Sequence, residues 1–186
     1  MASANGDPSG RKATRSLFVV VSGPPASGKS TLAPMLATEL WLPLIAKDTI
    51  KDALMSVLAV PDIATSRQLG GAAVAAMLAV AAESVPGAVI ESNFYRSVAT
   101  EPLLALPGTV IEVFCRCSAE IAAERYATRA GPRHAGHFDL ERSLAELWND
   151  EISEPVAGGW PVIEVNTEQP LDLGEILGRI QALENL

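Results

Sequence analysis

Short unbroken apolar runs alternate along this chain with longer stretches in which apolar side chains recur every three or four positions. The runs fall at residues 17–22, 44–46, 88–92, 109–115 and 161–165. The first is apolar on both faces, as a buried parallel strand must be. Between the runs lie helical patterns. One begins at Lys29 and carries Leu32, Leu36 and Leu40. A second, capped by Asp48 or Thr49, sets Ile50, Leu54, Val57 and Leu58 on one side. An alanine-rich third starts at Thr65 or Ser66 and runs to about Ser84. Short helices follow over 97–106, from the cap Ser118 through Arg129, over 140–149 behind Asp139, and over 173–183. Pro61, Pro86-Gly87, Pro107-Gly108 and Gly158-Gly159 separate them. Pro34 lies past the first turn of its helix and predicts a local distortion there.

Strand and helix alternate throughout, so the pattern predicts an α/β fold with a parallel sheet and helices on both faces. Residues 1–15 are polar, carry no secretory signal and read as a mobile tail. Residues 16–186 read as a single domain with no internal repeat. The apolar stretch 69–82 is shorter than a bilayer span, and its alanines suit a buried helix, so no membrane partner is expected. Ligands of such sheets bind at the carboxyl ends of the strands. That rule selects Gly23 onward, Asp48, Glu91 to Arg96, Arg116 onward, and Asn166 with Thr167.

Composition narrows the class. The 186 residues are 48% hydrophobic, enough for a substantial core, and the formal charge is −8. An acidic balance argues against a broad nucleic-acid face, which needs clustered Lys and Arg. Cys115 and Cys117 read as reduced packing residues, which fits a cytoplasmic protein.

The chemistry is concentrated after the first strand. Residues 23–30 read GPPASGKS, the G-x-x-x-x-G-K-S pattern of a phosphate-binding P-loop between strand and helix. Gly23, Ala26, Ser27 and Gly28 belong to a tight turn whose N–H groups converge on one concavity, and the helix behind it adds its positive end. Lys29 reaches the β- and γ-phosphates, and Ser30 holds Mg²⁺. Asp48 can accept a proton from an attacking hydroxyl. Glu91 ends a strand beside the P-loop strand, where an acid can hold the metal or its water. Arg125, Arg129 and Arg133, four apart, suit a lid over phosphates, spanning about 125–140. Asn93 and Arg96 lie where an acceptor can sit, Arg96 as a clamp for an anionic group.

Taken together, GPPASGKSTL, AKDTIKDAL, VIESNFYR and RCSAEIAAERYATRAGPRHAGH resemble the small P-loop kinases of the AAA-type ATP-binding family. That family is similar in fold to chloramphenicol phosphotransferase, zeta toxins, gluconate and shikimate kinases, and the kinase half of polynucleotide kinases. The resemblance covers residues 17 to about 173. It implies a P-loop NTPase fold of the nucleoside-monophosphate-kinase type, with five parallel strands in the order 2-3-1-4-5 and a lid. ATP and Mg²⁺ are the implied cofactors. It also implies that Thr31 touches the α-phosphate, that Asn166 and Thr167 lie near the adenine, and that Asp48 is the acceptor-side base. The sequence thus points to an ATP-dependent kinase acting on a hydroxyl of a small molecule such as a sugar, nucleoside or antibiotic. A 5′-hydroxyl polynucleotide kinase and a nucleotide-binding regulatory module are the alternatives. Acceptor and oligomeric state are left open.

Overall fold

A computed structural model of the protein describes residues 15–130, 135–138 and 148–184. Five parallel strands make one sheet: β1 (Ser16–Ser22), β2 (Leu44–Ala46), β3 (Gly87–Glu91), β4 (Gly108–Arg116) and β5 (Val162–Asn166). Their order is β2-β3-β1-β4-β5, as the resemblance implied. The predicted strand bounds hold to within one residue.

β1 occupies the centre because it is apolar on both faces, and every residue of it but Ser16 is buried. On one face Val19 and Val21 meet Leu32 and Leu36 of α1 (Lys29–Leu40) and Ile176 and Ile180 of α6 (Leu173–Glu184). On the other, Phe18 and Val20 meet Met77 and Ala81 of α3 (Ile63–Ala82) and Leu103 of α4 (Arg96–Leu104). Each large side chain fully buried this way stabilises the fold by about 1.5–3 kcal/mol. Two further helices, α2 (Lys47–Met55) and α5 (Ala119–Ala130), complete the described set. β5 is an edge strand, with Ile163 and Val165 buried and Glu164 and Asn166 exposed. Gly87 opens β3 at φ +93°, and a Cβ there would fall 1.8 Å from the Leu17 carbonyl oxygen, so the β1–β3 seam admits only glycine.

Several expectations are corrected. α1 runs without interruption through Pro34. Pro34 and Ser30, whose carbonyl loses its helical donor, both lie on the exposed side, so the broken bond faces solvent rather than the core. α2 begins at Lys47, with Ala46 as an N-cap that makes no side-chain bond, so neither Asp48 nor Thr49 caps it. The helix ends at Met55, which leaves Val57 78% exposed, and the buried residues are Lys51 and Met55. α3 starts earlier than expected, at Ile63, capped by the Asp62 carboxylate on the Thr65 N–H at 2.7 Å. With 20 residues it is long and apolar enough to cross a membrane, contrary to the shorter estimate. It is also a surface helix rather than a buried one, inserting the stripe Ser66, Ala73, Met77 and Ala81. The expected tail up to residue 14, Arg133, His134 and the helix over 140–147 lie outside the described residues, as does the side chain of Arg129.

Candidate phosphoryl-transfer site

The carboxyl edge of the sheet is set by register. Ala46 of β2, Glu91 of β3, Val21 of β1 and Val113 of β4 lie on one line across the strands. Gly23 and Asp48 each stand two residues beyond that line. β3 alone separates their strands, so about 10 Å divides the two chain paths, with Glu91 between them.

At Gly23 the chain turns away from the sheet. Gly23, Ala26 and Gly28 have φ of 132°, 62° and 92°. A Cβ on Gly23 would meet the Cys115 carbonyl oxygen at 2.5 Å and Ser27 Oγ at 2.8 Å, so the first residue of the loop must be glycine. Ala26 holds a left-handed conformation that glycine adopts without strain. The Ser27 N–H closes on the Pro24 carbonyl at 3.2 Å, and the Gly28 carbonyl receives Thr31 and Leu32 as α1 begins. The Lys29 side chain folds back over the loop, with Nζ donating to the carbonyls of Gly23 at 2.8 Å and Pro24 at 2.7 Å. Ser30 and Thr31 are exposed on the first turn of α1. Ser27 Oγ is buried and makes no hydrogen bond. This main-chain cradle at a helix N-terminus fits a nucleotide's phosphates.

The loop after β5 closes against the cradle. Thr167 Oγ1 donates to the Ser27 carbonyl at 2.8 Å, and the Thr167 N–H bonds the Arg116 carbonyl at 3.0 Å. Arg125 reaches the same residue from α5, with Nη2 2.8 Å from the Thr167 carbonyl and Nη1 3.3 Å from its hydroxyl. Arg125 and Thr167, predicted from separate features, are therefore neighbours. A cavity of about 420 Å³ opens beside them, lined by Arg116, Cys117, Ser118, Glu164, Asn166 and Glu168. Burial pushes the Cys117 thiol up, while the Arg125 charge pulls it back. The Ser118 N–H on its carboxylate holds Glu168 below the usual glutamate range.

The opposite rim consists of side chains. Lys47 Nζ lies 2.8 Å from Asp48 Oδ1. One turn on, Lys51 is 5% exposed and donates to Ser66 Oγ of α3 at 2.7 Å, and Ser66 Oγ donates to the Gly136 carbonyl at 2.6 Å. Buried His137 bonds Asp52 at 2.6 Å between Nε2 and Oδ1. Glu91 is 7% exposed, and Asn93 is half-buried just beyond it. The Arg96 side chain is engaged by the returning chain, with Nε on the Pro155 carbonyl at 3.2 Å. The nearby Ser97 N–H bonds the Glu151 carboxylate at 2.8 Å.

A buried acid that the sequence reading passed over frames both rims. Glu112, in the middle of β4 and fully buried, accepts four hydrogen bonds. Oε1 takes Ser22 Oγ at 2.6 Å and the Val156 N–H at 2.9 Å. Oε2 takes the Ala157 N–H at 2.9 Å and Trp160 Nε1 at 3.0 Å. It fastens the residue before Gly23 to the segment that also holds Arg96. An acid inside an apolar run was the available signal. Among the described residues no group of three His, Cys, Asp or Glu is placed to hold a metal by itself.

A family model described as an AAA domain matches residues 18–155. No curated protein matches the chain. Among solved structures, a candidate kinase from Chloroflexus aurantiacus J-10-fl is 31% identical, covering 91% of this chain and 98% of its own at a TM-score of 0.78. A gluconokinase from Sinorhizobium meliloti 1021 is 24% identical over 94% of both chains, with a TM-score of 0.59. A shikimate kinase from Acinetobacter baumannii, solved with shikimate, is 21% identical over 94% of this chain and 98% of its own, also at 0.59. At these identities the last two share the fold.

Proposed function

The chain belongs to the AAA domain family, and on that premise we propose that it is an ATP-dependent phosphotransferase acting on a hydroxyl of a small molecule in the cytoplasm. The observation that carries the reading is the common height of the P-loop, Glu91 and Asp48 on one sheet edge. It sets the phosphate cradle and the residue that carries a carboxylate just past the ends of two strands whose paths run about 10 Å apart. That span suits a γ-phosphoryl group and an attacking oxygen between them. The kinase names of the solved relatives support the same class of reaction.

In this reading the cradle from Gly23 to Thr31 binds the phosphates of ATP, and Asn166 and Thr167 border the adenine. Lys29 and the arginines 125, 129 and 133 balance the charge of the transferring phosphoryl group. Asp48 takes the proton of the acceptor hydroxyl, whose oxygen bonds to the γ-phosphorus as ADP leaves with the electron pair of the broken bond. Asn93 and Arg96 border the acceptor. Ser30 and Glu91 are the residues that would hold Mg²⁺, which would supply further charge neutralisation.

The test is ADP release with a panel of sugar acids, nucleosides and hydroxylated antibiotics, with Lys29→Ala as the blank. At least one compound is expected to raise release about tenfold over the acceptor-free rate, and the blank to lose that increment. Hydrolysis indifferent to every compound would overturn the reading and favour a nucleotide-binding regulatory module.

A further inference from the structure

Lysine 51 is a costly residue in its position. An ammonium taken out of water loses several kcal/mol of hydration unless its donors are used. Lys51 is 5% exposed, on a short helix where methionine would fill similar space with no such cost. Its bonding has one possible polarity. Lysine only donates and a carbonyl only accepts, so the Ser66 hydroxyl must receive from Lys51 Nζ and donate to the Gly136 carbonyl. The relay joins α2, α3 and the Ala135–His137 turn, elements 15 and 70 residues apart in sequence. A second tie runs beside it, from Asp52 of α2 to buried His137. Both ties leave α2 within one turn of Asp48.

We propose that Lys51 is a positioning residue of the acceptor site, which fixes the Ala135–His137 turn against the helix that carries Asp48 so that Asp48 and the far wall of the site keep one geometry. This rests on the phosphotransferase reading above. The relay runs from α2 to α3 and the Ala135–His137 turn, on the side of the site that carries Asp48, so its effect falls on the acceptor more than on the nucleotide. A residue that merely supports the fold would weaken both.

The test compares wild type with Lys51→Met, Lys51→Arg and Ser66→Ala. Three readouts are needed: ADP affinity by calorimetry, hydrogen exchange of residues 135–138 by mass spectrometry, and kinetics with the panel compound that wild type turns over fastest. Lys51→Met is expected to raise the acceptor KM about tenfold and to lower kcat by about threefold to tenfold, with ADP affinity within about twofold of wild type. Exchange at residues 135–138 is expected to accelerate by about tenfold or more. Lys51→Arg should recover most of the acceptor KM, and Ser66→Ala, which keeps the charge and should fold, should shift it in the same direction as Lys51→Met. An unchanged acceptor KM in Lys51→Met, or equal losses for acceptor and ADP, would overturn the proposal. If wild type turns over no panel compound, the phosphotransferase reading fails. The relay is then judged on exchange alone, and rates at 135–138 unchanged in Lys51→Met and Ser66→Ala would overturn it.

Discussion

Around the end of β1 the site is built of main chain. Three left-handed residues shape the turn, carbonyls of Gly23 and Pro24 hold Lys29, and the Ser27 carbonyl receives Thr167. Around the end of β2 it is built of side chains, with Lys47 on Asp48, Lys51 on Ser66 and Asp52 on His137. A main-chain site depends on a few conformational constraints and serves any ligand with the same phosphates. A side-chain site depends on which residues several distant elements bring together, and it can change with the acceptor while the fold stays the same. In the proposed reaction the contrast separates the half that holds the nucleotide from the half that would meet the acceptor.

The largest expected effects test that separation. Asp48→Asn should lower kcat by about 10²–10⁴, the range of a lost general base, with ADP affinity unchanged by calorimetry. Lys29→Ala should lower it by about 10²–10³ and weaken ADP binding as well, since it belongs to the main-chain half. If both variants lost nucleotide affinity alike, the two halves would not be separable.

Next in size is the frame beneath both. Glu112→Gln replaces one acceptor oxygen with a donor that faces two N–H or O–H groups. It should cost about 1–3 kcal/mol, read as a lower urea midpoint at unchanged slope. An effect confined to alkaline pH concerns Cys115, whose carbonyl packs on Gly23. Burial pushes its thiol from the ordinary 9.0 up to about 12. The unfolded chain therefore sheds this proton at lower pH than the folded one. The stabilisation is complete below pH 9 and is lost as pH rises toward 12, by up to about 1.4 kcal/mol per unit. Cys115→Val should flatten that part of the stability profile. The smallest effect is Ala26→Gly. Relief of a left-handed alanine, about 1–2 kcal/mol, is offset by about 0.4–1 kcal/mol of unfolded-chain entropy, leaving a gain of ~0.5 kcal/mol by thermal melting with activity intact.

The same contrast explains what could be read from the sequence. β1 and GPPASGKS were legible because burial on both faces and a forced turn each leave a contiguous pattern. The strand order came with the resemblance, and the structure agrees. Lys51 was not legible, because a lysine on a short helix reads as solvent-facing until Ser66 and Gly136 are known to meet it. Arg125 and Thr167 were each singled out, but 42 residues separate them, and spacing carries no sign of their contact. The depth of α3 was misread for another reason. Alanine is nearly indifferent between core and surface, so its abundance in that helix records helix propensity rather than burial.

Glu112 also bears on how the protein is made. Its partners come from Ser22, 90 positions earlier, and from residues 44 to 48 positions later. A bare carboxylate resists desolvation, and the set of donors that satisfies this one is complete only once Trp160 has left the ribosome. At cellular synthesis rates that is roughly 2–10 s after β4 emerges. During that interval the nascent chain holds a completed nucleotide motif on an unfinished sheet, and it is then that a chaperone would have most to do.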